Sequence, residues 1–308
     1  MATTDLVTGA FGFTGSRIAE RLLAAGRVVR TLSRRSGDGH ALAGKIERRA
    51  YDFSPAALRD SLRGVDTVYI TYWMRFPRGR QTWPQAIANV AALAHAAAGS
   101  GVRRLVYISV SNAGHDAPTA YFRAKADAED EVRGAGMSYA IVRPTLLYGE
   151  TDILINNMAW TLRRAPLFGV PGDGQYRVQP VYVGDVADLC VELGRSNEIR
   201  RLDAGGPETF TFNELVRTVG AAIGARRRLL HLPPLIVLAT TRVIGLAVRD
   251  VVLTRDEITE LSSELLVSSE PPACPTRFTD WLAANAQETG RRYSSELARN
   301  FRLERAST

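Results

Sequence analysis

The chain has 308 residues, 45% hydrophobic and 23% charged, with a formal net charge of +7. That composition is ordinary for a globule and suffices to bury the core of one large domain or two modest ones. Its basic residues are spread out, with short clusters at Arg34-Arg35, Arg48-Arg49 and Arg226-Arg227-Arg228, so the dense basic stripe of a nucleic-acid binder is missing and no nucleic-acid partner is expected.

In chain order, Asp5–Thr8 is predicted as a strand, followed by a glycine-rich turn and a helix over Ser16–Ala25. Arg27–Leu32 and Glu47–Tyr51 follow as strands, then Thr67–Trp73 as a fourth with the helix Gln85–Ala98 behind it. Arg104–Val110 is a fifth strand, leading to a helix at Tyr121–Gly134, and Ser138–Pro144 a sixth. This alternation calls for an α/β chain with parallel strands joined by helical crossovers, a Rossmann-type doubly wound sheet. The rhythm then breaks. Gly169–Gly174 reads as a turn cluster, Pro180 onward as a short strand with a helix from near Asp185, and Thr211-Phe-Asn-Glu214 and Thr254-Arg-Asp-Glu257 as two capping boxes. Thr279 is expected to cap a further helix in "TRFTDWLAAN", and the segment from Arg291 to the end to form a loosely docked one. The expected organisation is a nucleotide-binding domain over 1–150, joined by a strand and helix from about 178–205, and a smaller, mostly helical part over 151–177 and 206–308.

Cys190 and Cys274 are far apart, and the four histidines lack ligand spacing, so neither a disulfide framework nor a metal site is expected. The first residues show no basic and apolar leader, and a cytoplasmic setting is the expectation. Leu235–Val248 is apolar but short, and Arg242 interrupts it. It is therefore not a membrane span. A buried or groove-lining helix is expected, with a helix lying on a membrane surface as the alternative.

Two clusters carry chemistry. Thr8-Gly-Ala-Phe-Gly-Phe-Thr-Gly15 stands between the first strand and first helix. Gly9, Gly12 and Gly15 permit a tight turn and a close approach of backbone to a pyrophosphate, while the helix N-terminus offers free amides to phosphate oxygens. Ala10, Phe11, Phe13 and Thr14 complete this loop as cofactor contacts. The second strand ends Thr31-Leu-Ser-Arg-Arg35 with no carboxylate to hold ribose hydroxyls. Ser33, Arg34 and Arg35 suit a 2′-phosphate instead, so NADP is expected, with NAD as the alternative. The second cluster is Tyr121-x-x-x-Lys125. Only Lys45 and Lys125 are lysines, and with ten tyrosines this spacing has a chance expectation of about 0.06. One turn apart on a helix, the pair shares a face. A nearby ammonium would favour the phenolate of a side chain whose ordinary pKa is about 10.

"TGAFGFTG", Asn89-Val90, "VYISVS", Tyr121-x-x-x-Lys125, "VRPTLLYG" and "VYVGDVA", in that order, resemble the short-chain dehydrogenase/reductase superfamily in its extended epimerase/dehydratase branch. More narrowly they are similar to atypical members near the NADH-ubiquinone oxidoreductase 39 kDa subunit and NmrA-like proteins. The resemblance implies Tyr121 as general acid or base, Lys125 as its partner and a ribose ligand, and Ser111 as the donor to the substrate oxygen, with Ser109 competing. It further implies cofactor contacts at Asp52 and Phe53, Thr71, Ser109, and Pro144, Thr145 and Leu146 beyond Arg143. Tyr72, Trp73, Asn89 and Asn112 are the candidate substrate contacts. Only ten positions carry the chain from Ser111 to Tyr121, shorter than in nucleotide-sugar epimerases, which argues against a nucleotide-sugar substrate. The expected function is an NAD(P)-dependent oxidoreductase acting on a small-molecule carbonyl or alcohol. A non-catalytic cofactor-binding protein is the alternative and an epimerase/dehydratase the third. A homodimer is compatible with the resemblance.

Overall fold

The computed structural model describes residues 3–35 and 37–301. The alternating first half folds as β1 (Thr4–Val7), α1 (Phe13–Ala24), β2 (Val28–Leu32), β3 (Glu47–Arg49), α2 (Pro55–Leu62), β4 (Val65–Ile70), α3 (Trp83–Gly99), β5 (Arg104–Ile108), α4 (Ala120–Gly134) and β6 (Tyr139–Pro144). The remainder supplies β7 (Leu146–Tyr148), α5 (Leu154–Arg164), β8 (Leu167–Pro171), β9 (Arg177–Val178), β10 (Pro180–Tyr182), α6 (Val183–Arg195), β11 (Arg200–Ala204) and β12 (Phe210–Thr211). It ends with α7 (Phe212–Ala222), β13 (Arg228–Leu232), α8 (Pro234–Val248), α9 (Arg255–Ser262), α10 (Phe278–Asn285) and α11 (Glu296–Asn300).

The chain divides into two compact units, Met1–Pro144 with Val183–Asp203, and Thr145–Tyr182 with Ala204–Thr308. The first holds a seven-stranded sheet in the order β11-β6-β5-β4-β1-β2-β3. Pairings from β3 through β6 are parallel, which is why β5, Arg-Leu-Val-Tyr-Ile, is buried at every position rather than alternating. Leu6, Leu32, Val68, Ile70, Leu105 and Ile141 from the strands meet Leu58, Leu62, Val90, Leu93 and Val132 from α2, α3 and α4 in one core. The order reverses between β1 and β4, and at such a reversal the carboxyl ends of neighbouring strands diverge and leave a crevice. The turns after β1 and β4 are there.

The second unit has its own core, in which Tyr148, Ile155, Met158, Leu162, Val170, Leu215, Val219, Phe278 and Trp281 pack together. Its helices start where the side chains dictate. Both capping boxes form: Thr211 and Thr254 accept from the amides of Glu214 and Glu257, whose carboxylates return to the threonine amides. Thr279 does not cap α10, whose N-cap is Arg277. Its amide and hydroxyl both donate to the Glu208 carboxylate, at 2.9 and 2.8 Å, so an acid distant in sequence takes the capping role. The turn cluster at Gly169–Gly174 is half strand, because β8 runs to Pro171 in parallel with β13. β4 stops at Ile70, three residues short of the predicted Trp73. α11 covers part of the predicted terminal helix, and the rest of that prediction, 302–308, lies outside the described residues. Among the described residues no helix is long and apolar enough to cross a membrane, and no three His, Cys, Asp or Glu side chains are arranged to hold a metal.

Candidate cofactor and active site

The glycine turn is held by hydroxyls at the ends of β1, β2 and β4. Thr31 Oγ1 donates to Val7 O at 2.7 Å and accepts from Ala10 N at 3.2 Å. Thr8 Oγ1 accepts from the amides of Thr71 and Tyr72, at 2.8 and 3.0 Å, and Thr71 Oγ1 donates to Thr8 O. Two glycines are sterically required. Gly9 sits at φ +64°, and a Cβ on Gly15 would lie 2.3 Å from Gly9 O and 3.0 Å from Thr71 Oγ1. Such a clash cannot be relieved without moving the turn. Gly12 is the N-cap of α1 and supplies no side-chain hydrogen bond, so the first amides of a helix with no acid in its first turn are left for another acceptor. Gly9, Gly12, Phe13 and Thr14 are half-buried at this end, whereas Ala10 and Gly15 are buried. Phe11 differs from expectation in which part it offers. Its ring is buried edge-on to His40 and against Gly37, leaving its carbonyl, which accepts from Arg35 Nη1 at 2.7 Å.

After β2, Ser33 Oγ accepts from the Arg35 amide at 3.0 Å and is buried. Arg34 is exposed, its guanidinium 5.0 Å above the Tyr51 ring. Tyr51, Phe53 and Tyr72 form one ring cluster, with centroids 5.1 to 5.9 Å apart, and burial pushes the Tyr51 phenol well up. Asp52 is exposed and accepts from Ser54 N at 2.8 Å, ordering the turn into α2. Asn89 is buried and bridges Gln85 Nε2 and the Tyr72 hydroxyl, at 2.9 and 3.2 Å. Tyr51 went unnoticed at the sequence level, being read only as the end of a strand.

α4 carries the pair. Lys125 is buried, and its Nζ donates to Ile108 O, at the end of β5, at 2.7 Å. The same nitrogen lies 4.3 Å from the centre of the Trp73 ring and 5.0 Å from that of Tyr107. Burial lowers its pKa to about 7, opposed only by the negative charge of Glu129 one turn on. Glu129 is itself committed to Arg143, at 2.8 Å, and Arg143 also reaches Ala113 O at 3.3 Å. Arg143 therefore ties β6 to α4. Tyr121 is half-buried, its ring edge-on to Trp73, Trp83 and Phe122, with centroids 6.4, 5.7 and 5.4 Å away.

Trp83, stacked on Trp73 at 5.9 Å and 19°, was not anticipated. Its one local signal is the "TWP" helix start, where Thr82 caps α3 and Pro84 sits in the first turn. Ser111 is fully buried, with its amide donating to Pro144 O at 2.9 Å. Asn112 follows, exposed at φ 56°. Ser109 Oγ and Trp73 Nε1 are buried without a hydrogen-bond partner among the described residues. A buried polar atom left in that condition costs about 1–3 kcal/mol, so each invites a ligand atom. Thus the glycine turn, Thr71 and Tyr72 are brought together by direct contact, as are Trp73, Tyr121 and Lys125. Thr145 and Leu146 belong to the second unit, where both are buried and Thr145 N donates to Ala204 O at 3.2 Å.

A family described as NAD(P)H-binding matches residues 9–193. The chain is 27% identical over 244 residues to the mitochondrial NADH dehydrogenase [ubiquinone] 1 alpha subcomplex subunit 9 of Arabidopsis thaliana, covering 74% of this chain and 60% of that protein. It is 29% identical over 234 residues to the (4-alkanoyl-5-oxo-2,5-dihydrofuran-3-yl)methyl phosphate reductase of Streptomyces griseus, covering 71% of this chain and 73% of that one. The crystal structure of Citrobacter sp. triphenylmethane reductase complexed with NADP(H) has the same fold, with a TM-score of 0.72 at 18% identity over 92% of this chain and 99% of the other. The chain belongs to the NAD(P)H-binding family, in the extended branch of the short-chain dehydrogenase/reductase superfamily.

Proposed function

We propose that the chain is an NADP-dependent oxidoreductase that reduces a carbonyl, or oxidises the matching alcohol, of a small apolar substrate. The observation that carries this reading is the position of α4: it anchors Lys125 on the end of β5, beside the unpartnered hydroxyl of Ser109, and turns Tyr121 into the same group of rings. The residues present fit a dinucleotide, because Gly15 packs on the Gly9 carbonyl too closely for a Cβ, keeping the turn tight, and no side chain caps the first α1 amides, leaving them for phosphate oxygens. Gly9 to Gly15, Ser33, Arg34 and Arg35 would hold the adenosine phosphates, with Phe53 beside the adenine. Thr71, Ser109, Lys125 and Pro144 would hold the nicotinamide half.

When bound, the cofactor supplies or accepts the hydride. The protein's own part is the proton. In the reducing direction the Tyr121 hydroxyl gives its proton to the substrate oxygen, and Ser111 donates a hydrogen bond to that oxygen as charge develops. The phenolate then recovers a proton from water. Trp73 and Trp83 wall the approach to Tyr121 and favour a flat or apolar substrate face. The reductase from Streptomyces griseus supports the reading at the level of reaction type.

The test is NADPH oxidation across a panel of aldehydes, ketones and quinones, with Tyr121→Phe as the control. The rate should fall about a hundredfold or more while NADPH affinity holds. Equal turnover by the variant refutes the role of Tyr121. A second reading, nucleotide binding without chemistry, is favoured by the Trp73 indole covering Lys125 at 4.3 Å. It predicts tight NADPH binding and no turnover on any member of the panel.

A further inference from the structure

Among the described residues, eight large hydrophobic side chains are exposed, and six of them lie on β8, β13 and α8 of the second unit: Leu167, Leu230, Leu235, Ile236, Val243 and Leu246. The extremes are Leu235, Val243 and Leu246 at 73%, 67% and 81% exposure, values that a helix packed into its own domain does not give. α8 is mounted by one side only. Val237, Leu238 and Gly245 are buried, and Gly245 approaches so closely that a Cβ there would lie 2.6 Å from Asp250 O. The helix stops at Arg249, in the left-handed region at φ 53°, and Asp250 fixes the stop by accepting from the amides of Glu296 and Leu297 at 2.9 Å each. The other side runs Ile236, Ala239, Thr240, Val243, Leu246 and Ala247, at the spacing that lines up along one face. β13 leads straight into α8, and its register with β8 sets Arg228 opposite Leu167, with Leu230 two residues further along the same face of the ribbon.

Charge selects the occupant. From Ala225 to Arg249 there are five arginines (Arg226, Arg227, Arg228, Arg242 and Arg249) and no aspartate or glutamate. All five are exposed, and Arg242 stands beside Val243, one turn before Leu246. A second copy seated on this face about a two-fold axis would set arginines against arginines with no acid from the segment to answer them. A bilayer spanned by fifteen residues with a central arginine is equally unsuitable. An anionic lipid surface satisfies both halves, taking the leucine and valine tips below the headgroups while arginine stems extend along them to the phosphates.

We propose that α8, with the β8–β13 ribbon, is an interfacial anchor that lays the second unit on an anionic bilayer surface. The experiment is co-sedimentation of the full chain with vesicles of phosphatidylcholine alone and of phosphatidylcholine with phosphatidylglycerol in equal parts. Binding to the mixed vesicles, lost on raising salt and weak on the neutral ones, is expected. Val243→Ser with Leu246→Ser, at exposed positions that leave the fold intact by circular dichroism, should weaken binding more than about tenfold. Arg242→Gln should weaken it about fivefold. No binding to either vesicle overturns the proposal, as does binding that survives the double substitution. A wild-type dimer in sedimentation equilibrium that the double substitution splits also overturns it, assigning the face to a second copy.

Discussion

Replacing Lys125 with methionine tests the electrostatics of the site through the stability of the fold. Burial takes the Lys125 amine from its ordinary 10.5 down to about 7. Between those two values the unfolded chain holds one proton more than the native chain, so native stability rises with pH by about 1.4 kcal/mol per unit where the difference is complete. Below about pH 7 both states are protonated, and the full cost of burying the ammonium is felt. Integrating between pH 7 and pH 9, where the native amine is already half deprotonated at the start, gives about 2 kcal/mol. The measurement is urea unfolding of wild type and Lys125→Met across that range, using the difference between the two so that other titrating groups cancel. The wild type should gain about 2 kcal/mol on the variant from pH 7 to pH 9. A flat difference would show that Lys125 keeps its proton in the folded chain, and the burial argument would fail.

Three further outcomes follow from single contacts. Arg34→Ala should lower NADP affinity about tenfold and leave NAD affinity unchanged, by titration calorimetry, since an exposed guanidinium above Tyr51 is the group proposed for the extra phosphate. Gly15→Ala forces a Cβ to within 2.3 Å of Gly9 O, which should cost about 1–3 kcal/mol in urea unfolding and abolish nucleotide binding together. Thr254→Ala removes the hydroxyl that caps α9 and should lower stability by about 1 kcal/mol without altering NADPH binding, which a urea midpoint and a fluorescence titration would separate.

What could be read from the sequence was local. The capping boxes at Thr211 and Thr254 are four-residue devices and form as written, and the glycine turn works because Gly9 and Gly15 meet within one loop. The α10 cap was misread because its acceptor, Glu208, lies 71 residues from Thr279. α2 went unseen because eight residues beginning at Pro55 give too short a periodic signal, although Ser54 caps it. Trp83 could not be joined to Tyr121 because their meeting depends on how α3 packs beside α4, which no spacing encodes.

The same limit changes the chemistry of the Tyr121–Lys125 pair. Spacing alone puts an ammonium one turn from a phenol and makes the phenol more acidic. The fold adds the Ile108 carbonyl, which holds Lys125 Nζ at 2.7 Å, and Trp73, whose ring lies 4.3 Å away, and burial then costs the amine its proton near neutrality. Lys125 therefore carries its positive charge only below about pH 7. Above that its one observed hydrogen bond is still available to a neutral amine, so its positioning role outlasts its charge. A Tyr121-dependent activity in this chain should accordingly change character across pH 7, while the Tyr121 ring stays where Trp73, Trp83 and Phe122 hold it. Positioning by aromatic packing, rather than a permanent positive charge, is what this site would offer the proposed proton transfer at every pH.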